Sequence, residues 1–226
     1  MVHKESQETF DFIADWIAPD FFYSKKDVWH RFGMLGVFGD FVLSCTPGDV
    51  LEIGVGESSI YLGHVARKYN RKIYHCDISP AKITNPLTVN GYIWPKAAIV
   101  PDKVYWGQQD SSEVIMDSSD AMFKNVKPQN LALSFIDGDH NYDQVARDFF
   151  NVLDRTVDNG YILLHDTYPP SEEYTNENRC GTVYRLRQQI EQDPRCDCIT
   201  LPVGCAISVG LTIVRKKPAH RPEYQQ

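Results

Sequence analysis

No stretch of this chain comes near the roughly 20 consecutive apolar residues that a membrane-crossing helix requires, so no membrane partner is expected. The N-terminal run MVHKESQETFDF is polar and carries no signal-peptide core. Paired cysteine spacing is also missing: Cys45, Cys76, Cys180, Cys196, Cys198 and Cys205 contain no C-x-x-C. Disulfide frameworks belong mostly to shorter secreted chains, so free thiols in a reducing, cytoplasmic setting are expected. Cys196 and Cys198 would make a poor zinc half-site, because nothing complementary lies elsewhere. Positive charge is in deficit. A net charge of -7 disfavours a nonspecific grip on nucleic acid, and the basic run RKKPAHR near the end reads as a solvated tail. Internal repeats and low-complexity segments are absent as well. What remains is a chain of 226 residues with ordinary globular composition, 42% hydrophobic and 23% charged, enough for one domain with a small extension.

The pattern along it alternates between strand and helix. Residues 1–45 are rich in aromatics, among them Trp16, Trp29, Phe38 and Phe41, and read as a helical N-terminal extension or lid broken near Pro19 and at Gly33 to Gly39. A first strand is expected at 49–54, a helix at 58–69 and a second strand at 72–77. Residues 78–101, with four prolines, read as an irregular insertion. KVYWGQ (103–108) reads as a third strand, 111–126 as a helix and LALSFID (131–137) as a fourth strand. The next helix is the best marked: Tyr142, Val145, Ala146, Phe149, Phe150 and Leu153 form a full amphipathic stripe behind a capping pair, Asn141 and Gln144. YILLHD (161–166) is a fifth strand, GTVYRLRQQIEQ another helix, and CDCITLPV and VGLTIVRK an antiparallel pair, since no helix separates them. Such alternation predicts an α/β, doubly wound, Rossmann-like sheet over 46–216, followed by a flexible tail at 217–226.

Glu52-Ile-Gly54-Val-Gly56 closes the first strand and opens a helix, the setting of a nucleotide-binding turn. Gly54 permits the tight turn, and Gly56 lets backbone approach a ligand. Asp77 ends the second strand about 20 residues later, the spacing at which an acid meets ribose hydroxyls. The third glycine of a dinucleotide fingerprint is missing, since Ser59 stands in its place. Glu52 would repel a pyrophosphate and suits a cationic amino group instead. S-adenosylmethionine (SAM) has that amino group, a ribose and no phosphate.

The E-x-G-x-G turn, the Asp77 spacing and the terminal strand pair together resemble the class I SAM-dependent methyltransferases, over about residues 48–216. The resemblance implies a seven-stranded sheet with an antiparallel last strand. It also implies that Glu52, Gly54, Gly56 and Ser58 line the methionine end of SAM, with Asp77 at the ribose and Asp110 and Ser111 near the adenine.

In an open α/β sheet ligands lie beyond the carboxyl ends of the strands, which puts Asp137 and Asp166 at one crevice, with Asp137 on its cofactor side too. Two carboxylates there repel unless a cation or proton separates them. The interval between them resembles that of the metal-dependent O-methyltransferases related to catechol O-methyltransferase, whose catalytic lysine position is His140 here. IDGDHNYDQVARDF and GYILLHDT are more similar to a branch acting on sugars and natural products, which includes rhamnosyl and macrolide-sugar O-methyltransferases and the cephalosporin hydroxylase-like group. That resemblance implies a metal set of Asp137, His165 and Asp166, with His165 standing where an acid is usual. Magnesium prefers oxygen ligands. Three states stay open: Mg²⁺ on Asp137, Asp166 and waters; another divalent metal that accepts His165; or no metal, with His140 or His165 as general base. Asp139 reads as a turn or cap residue, and His30, His64 and His75 as structural.

The expected activity is therefore transfer of the SAM methyl to a hydroxyl on a small molecule or sugar, with Asp137 and His140 catalytic. The acidic loop 168–179, with Glu172, Glu173 and Glu177, is expected to cover the cleft and to disfavour a strongly anionic acceptor. Two alternatives stay open: an NAD-dependent oxidoreductase on a similar sheet, and a catalytically idle binding module. A homo-oligomer is compatible with the sequence.

Overall fold

The computed structural model describes residues 33–56, 58–79, 87–89, 92–94, 112–202 and 209–219. In chain order the elements are α1 (Gly33–Cys45), β1 (Asp49–Ile53), α2 (Ser58–Lys68), β2 (Ile73–Cys76), β3 (Leu87–Val89), β4 (Tyr92–Trp94), β5 (Ser112–Ile115), α3 (Ser119–Asn125), β6 (Leu131–Ile136), α4 (Tyr142–Arg155), β7 (Thr156–His165), α5 (Val183–Ile190), β8 (Cys196–Leu201) and β9 (Leu211–Lys216), with one short 3₁₀ turn at Glu172–Thr175.

Seven strands form one sheet in the order β5-β2-β1-β6-β7-β9-β8. The first five are mutually parallel, and β9 runs antiparallel to both β7 and β8. This is the doubly wound, Rossmann-like architecture expected from the alternation, with the last strand reversed. β1 and β6 are buried almost throughout, as parallel strands covered on both faces must be. One face packs Leu51, Ile53, Ile136 and Ile162 against Phe149 and Val152 of α4, Met122 of α3 and Leu186 of α5. The other packs Val50, Leu133, Phe135 and Leu163 against Leu35 and Val42 of α1 and Leu62 and Val65 of α2.

Three local expectations change. The glycines at 33–39 do not break a helix; they lie in α1, where a Cβ on Gly39 would meet Val65 Cγ2 at 2.9 Å and Leu133 Cδ2 at 3.3 Å. The missing side chain lets α1 pack down onto α2 and the sheet. Second, the helix expected from residue 111 starts only at Ser119. Ser112–Ile115 instead forms the edge strand, pairing in register with Ile73–Cys76, and Ser118 caps α3 by accepting the Ala121 N–H at 3.2 Å. The strand expected at 103–108 lies outside the described residues. Third, the insertion after β2 holds a short antiparallel pair, β3 with β4. Asn141 caps α4 by accepting from the Asp143 N–H at 2.9 Å, while Gln144 donates to Ser119 and Asp148 rather than back to the cap. The described cysteines are all free thiols, and no helix of the described residues is long and apolar enough to cross a membrane.

Candidate active site

β1 and β2 deliver one half of the site. Their register sets Glu52 directly opposite His75, so an acid and an imidazole share one buried patch of the sheet. Glu52 is 0% exposed. Its Oε1 accepts from Ser58 Oγ at 2.5 Å, and its Oε2 accepts from Ser59 Oγ at 2.7 Å and lies 2.6 Å from His75 Nδ1. Burying a carboxylate is costly unless it is hydrogen-bonded, and here the start of α2 and one residue of β2 supply the partners. Glu52 and Ser58 are thus buried supports of the turn expected at the methionine end. His75 belongs to this scaffold. The sequence signal for it, an imidazole in the strand beside a buried acid, was available.

Above this scaffold the turn itself is backbone. Gly54 has φ +93°, and a Cβ there would sit 2.1 Å from the carbonyl oxygen of Asp137, so no other residue fits. Gly56 faces open space among the described residues, with none of their atoms beyond its chain neighbours within 4 Å of where its Cβ would be. Asp77 straps the turn down: its Oδ2 accepts from the Val55 N–H at 2.9 Å and its Oδ1 from the Ser79 N–H at 2.7 Å. Each carboxylate oxygen retains acceptor capacity for a ligand hydroxyl. Ile78, 76% exposed, follows Asp77, and Met116, 52% exposed, leaves the end of β5. Two large apolar side chains left open at neighbouring strand ends are a second feature the sequence reading missed; Met116 was read as part of the helix expected from 111. Asp110 and Ser111 lie outside the described residues, and the residues that leave β5 at its carboxyl end are Met116 and Asp117.

β6 and β7 deliver the other half. Ile136 pairs with Leu164, so Asp137 and His165 are the next residues outward, with Asp166 behind. Asp166 adopts φ 59°, a left-handed conformation that Asp tolerates better than most and that sparse backbone outliers show at functional sites. His165 is 7% exposed, and its Nδ1 lies 3.1 Å from both Asp137 Oδ1 and Asp166 Oδ1. His140 Nε2 lies 3.0 Å from Asp166 Oδ2. Four titratable groups therefore form one chain: Asp137, His165, Asp166, His140. Burial alone would lower the pKa of His165; the charge and hydrogen bonds of Asp137 and Asp166 outweigh it and push it up to about 10. Burial alone would raise Asp166, but hydrogen bonds from His140 and His165 hold it at about 2. The hydrogen bond to Asp166 raises His140, against its own burial. Asp139 closes the turn by accepting the Asn141 N–H at 2.8 Å, as expected of a turn residue.

The main chain of His140 is fixed from α5. Its carbonyl accepts the Thr182 N–H at 2.9 Å, and Gly181, at φ +52°, lies so close that a Cβ would fall 2.1 Å from that carbonyl oxygen. Thr182 Oγ1 in turn accepts the Tyr142 N–H at 2.8 Å. Burial pushes the thiols of Cys76 and Cys180 up to about 12, so neither is a nucleophile near neutral pH.

Asp137, His165 and Asp166, the metal set implied by resemblance, come together at the ends of β6 and β7. His165 Nδ1 stands 3.1 Å from one oxygen of each acid, and an imidazole at that position gives magnesium one oxygen ligand fewer than an acid would. The ligand atoms that converge within 4.8 Å of one another belong to Asp137, His140 and Asp166. In that trio His140 already engages Asp166.

Residues 51–167, from the middle of β1 to just past Asp166, match the family described as Methyltransferase domain. No curated protein matches the sequence. Among solved structures, the O-methyltransferase from Bacillus cereus in complex with SAH is similar at TM-score 0.58 and 17% identity, over 96% of this chain and 93% of that one. The SAH-bound methyltransferase of Podospora anserina is similar at TM-score 0.59 and 19% identity, over 96% and 89%. A Clostridium thermocellum protein assigned as an rRNA methylase is similar at TM-score 0.54 and 12% identity, over 81% and 96%. At such identities the likeness is one of fold, shared by proteins with different acceptors.

Proposed function

The chain belongs to the methyltransferase-domain family, and we propose that it moves the methyl group of SAM onto a hydroxyl oxygen of a small molecule or sugar. The observation that carries this reading is the contact between Gly54 and the Asp137 carbonyl, which sets the open glycine turn beside the acid–imidazole chain. SAM held at the turn, with its ribose on Asp77 and its adenine between Ile78 and Met116, would present its methyl toward Asp137 and His140.

The transfer is an in-line displacement. The acceptor oxygen forms a bond to the methyl carbon as the carbon–sulfur bond breaks, the electron pair goes to sulfur, and the acceptor proton must leave. Positioning supplies much of the rate. With Nε2 held on Asp166, His140 Nδ1 is the atom to take the proton, and Asp166 orients the ring and stabilises the cation it becomes. The chain's net charge of -7 and the acidic loop 168–179 favour a neutral or cationic acceptor over a polyanion such as rRNA.

The test is a panel of hydroxylated sugars and phenols, with a structured RNA as control, incubated with methyl-labelled SAM. The expected result is label on a hydroxyl oxygen with release of the demethylated cofactor. Calorimetry that detects NADH binding but no SAM binding would sink the reading, and label on the RNA alone would overturn the acceptor class.

A further inference from the structure

The resemblance to metal-dependent O-methyltransferases implies a divalent cation between the strand-end carboxylates. We infer that in this chain the N–H edge of His165 does that job, so that methyl transfer, the activity proposed above, proceeds without a metal.

Three observations converge on it. Asp137 and Asp166 end neighbouring strands and would repel each other across the crevice without something between them. That something is on the page: His165 Nδ1 stands 3.1 Å from one oxygen of each acid. At that distance the ring nitrogen stands in the space between the two acids where a cation would have to sit. The second free oxygen of Asp166 is also engaged, by His140 at 3.0 Å. A cation entering at Asp137, His140 and Asp166 would thus either occupy the remaining nitrogen of the base or draw His140 off its orienting partner. Two imidazoles set against two carboxylates complete the cluster from the chain's own residues. The left-handed turn at Asp166 supports the same reading, because it aims the carboxylate at both rings at once.

Position 165 is the determinant. A glutamate there would replace the donor with an acceptor and present three carboxylates to the crevice, the oxygen-rich set that suits magnesium or manganese.

Calorimetric titration of the full chain with Mg²⁺ and Mn²⁺ tests this without needing an acceptor, so it is decided even if methyl transfer is never found. Wild type is expected to show no saturable site tighter than about 10⁻³ M, the weak end of biological divalent sites. His165→Glu is expected to gain one, at least tenfold tighter than any wild-type binding. If that variant fails to fold by circular dichroism, the wild-type titration alone decides. With an acceptor in hand, wild-type turnover should survive exhaustive dialysis against EDTA. A stoichiometric wild-type cation site, or turnover lost in EDTA and restored by one metal, overturns the inference.

Discussion

The two halves of the crevice handle buried charge in opposite ways. At the β1–β2 end, Glu52 and Asp77 give their oxygens to the fold itself: serine hydroxyls, a cross-strand imidazole and backbone N–H groups. What remains open there is backbone at Gly56 and apolar surface at Ile78 and Met116. At the β6–β7 end, Asp137 and Asp166 face two imidazoles, and the resulting cluster is half-open to the cleft, with His140 29% exposed at its side chain. A site that must bind needs a stiff frame, whereas one that must move a proton needs groups whose protonation can change. The acids are similar in number on both sides, and their partners decide their roles.

The largest expected effect falls on the proton-handling half. His140→Ala and Asp166→Ala should each lower the methyl-transfer rate by roughly 10²- to 10⁴-fold, the usual worth of general-base catalysis. Because the two act as one unit, the double variant should lose little more than the worse single one. SAM affinity measured by calorimetry should stay near wild type. Losses that multiply would mean that the pair does not work as one base.

The frame half should respond in stability. His75→Phe leaves the buried Glu52 carboxylate one partner short, at a cost of about 1–3 kcal/mol in urea unfolding. Asp77→Ala should weaken SAM binding by a similar amount, about 1–3 kcal/mol, with the rate at saturating cofactor changed far less. If instead Asp77→Ala lowers the saturated rate as much as His140→Ala does, the division between the halves fails.

Acid and alkali should both act on the proton-handling half. Asp166 sits below its usual 3.8, at about 2, so its contribution is present above about 4 and is lost as pH falls toward 2. His165 sits above its usual 6.5, at about 10, so its contribution is complete below 6.5 and is lost as pH rises through 10. Thermal unfolding of wild type should therefore weaken on both flanks. Asp166→Asn should flatten both, since it removes the acid and one of the two charges that hold His165. A variant with the wild-type pH profile would mean that the cluster does not titrate as described.

Much of this was legible in the sequence, and the failures have a pattern. Long buried strands with clear flanks, such as LALSFI and YILLHD, announced themselves, as did α4 through its stripe. SEVI was missed because a four-residue edge strand with a solvated glutamate resembles the first turn of a helix. Gly33 to Gly39 misled because glycine lowers helix propensity, yet here close packing against Val65 and Leu133 outweighs it. The strand-end positions of Asp137, Asp166, Gly54 and Asp77 were readable, as was the turn position of His140. Their partnerships were not: that Glu52 would be enclosed by His75, or that His165 would face two acids, depends on register and rotamer, which a linear pattern does not carry.

The smallest effect concerns the outer support of His140. Thr182 donates its N–H to the His140 carbonyl and accepts the Tyr142 N–H on its hydroxyl, so one residue fixes the chain on both sides of the turn. That hydroxyl is not needed for α5, whose Thr182 cap makes no side-chain hydrogen bond into the helix. Thr182→Val keeps the shape and the N–H but deletes the acceptor, loosening the segment that carries the base by about 0.5–1.5 kcal/mol, the net worth of one hydrogen bond. A segment that only stabilised the fold would lower the unfolding midpoint and leave kcat untouched. If it positions His140, kcat should fall by a few-fold to about tenfold with KM for SAM unchanged, and Thr182→Ser, which restores the hydroxyl, should recover it. Loss of stability with kcat intact in Thr182→Val would reduce Thr182 to a packing residue and leave Gly181 as the contact that sets the base.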